Sequence, residues 1–155
     1  MIKKIKTKKE EGFVILFAVM VSSIILAITL GVADIAFKEI KFSTSVKDTN
    51  EAFFAADVGA ECALFNDRST SNSFLETGGS GVVQCLGFTI GLNGSFPVWN
   101  FVVPGLGSGG QGCARVTVDK SIDPNTHVIS KGYNNGGFPC IQGQNTVERQ
   151  LELNY

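Results

Sequence analysis

Four cysteines, Cys62, Cys85, Cys113 and Cys140, carry the plainest chemistry of this 155-residue chain, at successive spacings of 23, 28 and 27 residues. Tetrahedral zinc needs closely spaced ligands, and the chain has no C-x-x-C pair and a single histidine, His127. An even cysteine count in a glycine-rich segment reads instead as two disulfides, for which four cysteines allow three connectivities. Nucleophilic catalysis requires a free nucleophile beside a base. His127 stands without a second histidine, and the bridges leave no thiol over. Asp119, Asp123 and Asn125 could offer oxygens to a cation such as Ca²⁺, but their spacing fits no EF-hand loop. Gly107-Ser108-Gly109-Gly110-Gln111-Gly112 has the composition of a phosphate-binding loop, yet it precedes a strand and lacks a following Lys-Ser/Thr. The expectation is a protein that is no enzyme and needs no metal and no cofactor.

The strongest signal lies at the other end of the chain. Residues 1–12 contain five lysines, two glutamates and Gly12, and the next charge after them is Asp34. From Phe13 to Ala33 there are 21 uncharged residues, about 32 Å of helix, enough to cross a bilayer. The basic flank predicts a cytoplasmic N-terminus and an external C-terminal domain. A secretory signal has a shorter apolar core closed by a small-residue cleavage site. Here no such site precedes Asp34.

Charge is divided unevenly. Residues 13–155 carry eight basic and twelve acidic side chains, a net −4. Phosphate neutralisation along a nucleic acid has no footprint in that balance, although a few external lysines leave a surface or DNA contact open to the head.

The elements that must position these residues are an N-terminal helix and a C-terminal sheet. No proline occurs before Pro97, and only Gly31 and Gly59 interrupt helical chemistry between Phe13 and Phe65. The pattern predicts one helix of two parts: 13–33 apolar all round, and 34–65 amphipathic. In the second part Ile35, Phe42, Val46, Phe53, Ala56, Ala60 and Ala63 fall on one face. Small residues at Ala52, Ala55, Ala56, Gly59, Ala60 and Ala63 would admit a sheet at close range. Fifteen of the 18 glycines lie between Gly78 and Gly143, so residues 66–112 read as Gly/Ser-rich loops and short strands. Residues 113–155 read as a three-stranded antiparallel meander. Ala114, Val116 and Val118 share one face of its first strand, and Val147, Leu151, Leu153 and Tyr155 one face of its last. In that hairpin Cys113 stands opposite the end of the second strand, a short reach from Cys140, which leaves Cys62 for Cys85. The fold class expected is α+β, a long N-terminal helix packed on a small C-terminal antiparallel sheet with a disulfide-stapled loop region.

The run from Lys3 through Gly12 into Phe13-Val14-Ile15-Leu16-Phe17-Ala18-Val19-Met20 resembles the class III signal of type IV pilins and pseudopilins. The resemblance implies that a prepilin peptidase cuts after Gly12, removing residues 1–12, and that the new N-terminal residue, Phe13, is N-methylated. One position departs from the usual pattern: the fifth mature residue is Phe17, where most of the family has Glu. Some minor subunits at the filament tip also lack that Glu. The segment Asn50 to Leu64 is similar to the alanine-rich acidic stretch of X-type (PilX-like) minor pilins.

Taken together the resemblance implies a non-enzymatic structural subunit, a minor pilin or pseudopilin, of a type IV pilus or related secretion or DNA-uptake filament. It would sit single-pass in the inner membrane before assembly and in a cell-surface filament afterwards. Its partners would be other pilin subunits, the prepilin peptidase and the inner-membrane assembly platform. Phe13, Leu16, Phe17, Met20, Ile24, Leu26 and Leu30 would pack in the membrane and then in the filament core. On the head, Phe96, Trp99 and Phe101 are expected to meet surfaces or partner subunits. The competing expectation is an uncleaved signal anchor holding an extracellular binding or adhesion module, which would retain residues 1–12.

Overall fold

A computed structural model of the chain describes residues 11–70, 72–77, 79–122 and 124–155. The expected leader therefore lies, for residues 1–10, outside the described residues. One helix, α1, spans Glu11–Arg68, and the chain divides into two compact units, 1–44 and 45–155. The described part of the first unit is helix throughout, as a proline-free apolar sequence favours.

The second unit contains the rest of α1 and seven strands. A two-stranded hairpin is formed by β1 (Val82–Cys85) and β2 (Phe88–Gly91). Its two-residue turn, Leu86-Gly87, has positive φ at both positions, the backbone twist that suits a tight hairpin. A five-stranded antiparallel meander follows in the order β3 (Asn93–Ser95), β4 (Val98–Leu106), β5 (Gly112–Ile122), β6 (Asn125–Tyr133) and β7 (Glu148–Asn154). The unit is thus α+β, with the helix on one face of the sheet, a pilin-like architecture.

Side-chain alternation selects that face. Trp99, Phe101 and Val103 of β4, Ala114, Val116 and Val118 of β5, and Val128 of β6 are buried in one core with Ala55, Cys62 and Ala63 of α1. After the helix, the Phe74 backbone N–H donates to Asn72 Oδ1 at 2.8 Å, closing a turn, and Phe74 enters the same core. Its ring lies 5.7 Å from Trp99 and 6.3 Å from Phe101, distances at which aromatic pairs attract through their quadrupoles.

Helix and sheet approach closely because both surfaces are shaved. Ala52, Ala56 and Ala63 are completely buried. A Cβ on Gly59 would come 2.8 Å from Val116 Cγ2 and 2.9 Å from the Ala114 Cβ. On the sheet side, a Cβ on Gly132 would run into the backbone of Ala52, Ala55 and Ala56. Each glycine therefore occupies a place where no side chain fits.

Three expectations need correction. The sheet has five strands, not three, because β3 and β4 join it from the segment read as loops and short strands. The glycines flanking β4 obscured an alternation of Trp99, Phe101 and Val103 that buries one side of a nine-residue strand. Trp99 and Phe101 are consequently core residues and meet no surface, while Phe96 stays exposed. Finally, Ile35, Phe42, Val46 and Phe53 are exposed. Within the second unit the helix packs on the sheet mainly through small residues, with Val58 partly buried beside them, since an approach this close leaves no room for a phenyl ring.

Substituting the two glycines tests this contact by thermal unfolding. Gly59→Ala should lose about 1–3 kcal/mol to overpacking, against a helix-propensity gain of about 1 kcal/mol. Gly132→Ala, facing backbone that cannot rotate away, should melt at a lower temperature than Gly59→Ala. Equal melting temperatures would contradict the geometry.

Candidate functional site

The first candidate surface is the helix of residues 11–44. Gly12 and Phe13 stand in its first turns. Phe13, Leu16, Phe17, Met20, Ile24, Leu26 and Leu30 are all exposed, Phe13 at 77%. This is the one described helix long and apolar enough to cross a membrane. The polar side chains of its uncharged part, residues 13–33, are satisfied inside the helix. The Ser22 hydroxyl donates to the Val19 carbonyl at 2.9 Å, Ser23 to Met20 at 2.8 Å, and Thr29 to Leu26 at 2.9 Å. A hydroxyl bonded back to its own backbone removes much of the cost of placing it in hydrocarbon.

Within the second unit the same helix presents two opposite surfaces. One carries the alanines and Gly59 against the sheet. The other leaves Phe53, Phe54 and Phe65 in contact with solvent, Phe65 at 66% exposure. Large apolar side chains left uncovered, Phe53 and Phe54 among them as an edge-to-face pair, mark places where something else packs.

The helix end is fastened to the sheet by groups that no sequence motif announced. Asn66 is buried, and its side-chain amide behaves like one more peptide of a β-ladder. Its Nδ2 donates to the Gln84 carbonyl at 2.9 Å and to the Cys62 carbonyl at 2.8 Å, while its Oδ1 accepts from the Gln84 amide at 2.9 Å. One side chain thereby joins α1 to β1, beside the Cys62–Cys85 disulfide. Asp67, one residue on, accepts from the Lys120 ammonium of β5 and from the Tyr155 hydroxyl at 3.0 Å. The Arg68 guanidinium covers the Tyr155 ring, 5.0 Å from its centroid. Burial, then the hydrogen bond to the Asp67 carboxylate, push the Tyr155 phenol well above the ordinary tyrosine range, because a phenolate would lose hydration and face a negative charge.

Two disulfides brace opposite sides of the sheet. Cys62–Cys85 lies in the helix-side core. Cys113–Cys140 lies on the other face with Tyr133 and Val102, where Cys113 is the register partner of Tyr133 at the end of β6. Closing loops of 23 and 27 residues stabilises each by about 3 kcal/mol in the chain-entropy account.

The residues weighed for chemistry are otherwise occupied. His127 Nε2 lies 2.7 Å from Glu152 Oε1, on neighbouring strands. Asp119 accepts the Ser121 backbone N–H at 2.8 Å, and that bond holds its carboxyl below the usual range. Asp123 lies outside the described residues. Ser108, in the glycine-rich loop, donates to Glu51 of α1 at 2.6 Å, which docks that loop on the helix. Asn66, Asp67, Lys120, Tyr155 and Phe74 were invisible to sequence reasoning, since each acquires its role through partners 18 to 88 residues away. No protein-family model, curated protein or solved structure matches this chain.

Two measurements test the fastening. Asn66→Ala should cost about 3 kcal/mol in thermal or denaturant unfolding, because it strands the Gln84 amide and carbonyl. Asn66→Asp should be no better, since its oxygens can donate to neither carbonyl. For Tyr155, the folded value is raised, so the unfolded chain releases its phenolic proton first. Stability should be unaffected by this group below about pH 10 and fall as pH rises beyond it. Tyr155→Phe should flatten that alkaline fall, as read from unfolding curves at pH 9 to 11.

Proposed function

We propose that this chain is a non-enzymatic, pilin-like structural subunit, a minor pilin or pseudopilin. It is processed at Gly12-Phe13 and assembles with other subunits through its N-terminal helix. The observation that carries this reading is the helix of residues 13–33, uncharged, long enough to span a bilayer and without a single buried residue. Such a surface is compatible with lipid and with like helices, and with little else. The exposed Phe53, Phe54 and Phe65 extend apolar surface along the helix in the second unit, as subunit packing requires. The pairing of His127 with Glu152 and the use of all four cysteines in bridges favour structure over catalysis.

In this reading the chain waits in the cytoplasmic membrane with its C-terminal domain outside. The prepilin peptidase removes residues 1–12, and the assembly platform passes the subunit from lipid into a filament. Phe17, in place of the acidic residue common at the fifth mature position, fits a subunit that does not need to neutralise a neighbour's amine. A tip or initiating position meets that condition.

Mass spectrometry of the N-terminal peptide, on protein taken from native membranes or sheared filaments, tests the proposal. The expected chain begins at N-methylated Phe13, and Gly12→Leu should abolish processing and remove the protein from filaments. A chain that still begins at Met1 would make the protein an anchored external module and overturn the assembly reading. Normal processing of Gly12→Leu would overturn the cleavage site.

A further inference from the structure

The sheet face turned away from α1 carries a groove of about 1090 Å³. Arg115 of β5 and Lys131 of β6 lie in its floor as direct register partners. Like charges placed opposite each other on neighbouring strands repel. Glu148 is the one carboxylate among the lining residues, and both its oxygens are taken. Oε1 lies 3.4 Å from the Lys131 ammonium, and Oε2 accepts from Gln142 at 2.6 Å. Arg115 has no ion-pair partner among the described residues and is exposed to the groove. The result is an exposed guanidinium without a counter-charge among the described residues, on a chain whose residues 13–155 are net acidic.

The surroundings of Arg115 narrow the anion. Phe138 and Ile141 line the rim on either side of the buried Cys140, which is bonded to Cys113 on the same face. The disulfide thus holds an exposed aromatic ring, Phe138 at 78% exposure, beside the floor. Beyond the cations, on the side away from Cys113, the floor offers side-chain amide and hydroxyl groups, with Asn100 and Thr117 hydrogen-bonded to each other at 2.7 Å. A nucleic acid would need several free cations in line, and here one of the two is neutralised. An extended peptide would need unpaired backbone groups, but the backbone under this groove is paired within the β4–β5–β6 ladder. A hydroxyl-rich ring bearing one carboxylate meets all three features: the carboxylate for a bidentate guanidinium, hydroxyls for the amides, an apolar ring face for the aromatic rim.

We propose that this groove binds an acidic saccharide, its carboxylate on Arg115 and a sugar ring against Phe138. The site does not depend on assembly, and stands whether or not the chain enters a filament.

Calorimetric titration of the full chain in non-ionic detergent with oligogalacturonate tests it. The free acid should bind, and its methyl ester, the same rings without the charge, at least about tenfold more weakly. Arg115→Gln should lose a similar factor without a lower melting temperature, because Arg115 makes no side-chain hydrogen bond among the described residues and its removal relieves repulsion. Phe138→Ala should weaken the free acid several-fold, and added salt should weaken it further. Absent binding, equal binding of acid and ester, or an Arg115→Gln protein that binds like the parent would overturn the proposal. Equal or tighter binding of inorganic phosphate or of a single-stranded oligonucleotide would overturn the saccharide assignment.

Discussion

Everything in the second unit is organised by how near α1 lies to the sheet. At Gly59 and Gly132 the distance is set by backbone and by the smallest side chains, so the two surfaces meet with no phenyl, leucine or isoleucine from the helix between them. Alanine buries little apolar area, and the hydrophobic return per residue is correspondingly modest. What the close approach supplies is dispersion over many short contacts and an unforgiving fit. The fit fixes the rotation of the helix about its axis: only the Ala52/Ala56/Gly59/Ala63 stripe can face inward, so the large residues Phe53, Phe54 and Phe65 are compelled outward. The exposed aromatic surface is a consequence of the interface on the other side of the helix.

Because the helix gives the core so little volume, the sheet and the segment after the helix provide the bulk. Phe74, Trp99 and Phe101 form the aromatic centre, placed by a turn after α1 and by the alternation of β4. A small core of this kind leaves a narrow margin of stability. The polar fastenings compensate at the points where the core thins, with Asn66 and the Cys62–Cys85 bridge at the end of the helix and Tyr155, Asp67 and Lys120 at the end of the chain. One cost remains visible. Ser130, buried where β6 passes under Gly59, has a hydroxyl without a hydrogen-bond partner among the described residues. Its small size suits the close approach, while its unpaired oxygen opposes it by about 1–3 kcal/mol.

The two faces of the sheet are put to different uses. The inner face is covered by α1. The outer face holds the second disulfide, the loop it anchors and a groove with an unbalanced arginine.

The long helix, its uncharged first part, the disulfide-bearing region and the β5–β6–β7 meander were legible because each depends on local sequence. Charge absence over 21 residues, freedom from proline, and period-two alternation operate over distances the chain itself supplies. The alanine and glycine stripe was legible for the same reason, since helical spacing aligns it without reference to a partner. Tertiary structure decided the rest. Whether Phe53 or Ala56 faces the sheet depends on the distance of approach, which Gly132, far away in sequence, helps to set. That β4 is a core strand depends on Phe74 and the helix covering it. The charge on Arg115 is unanswered because Lys131 and Gln142 take up Glu148, a balance that exists only once three strands and a loop are assembled. Sequence alone therefore determined which elements form and which surface could meet a membrane, because those follow from short-range periodicity and charge. Only the fold decided which side chains are covered, fastened or left over, because those depend on contacts between residues that the chain keeps apart.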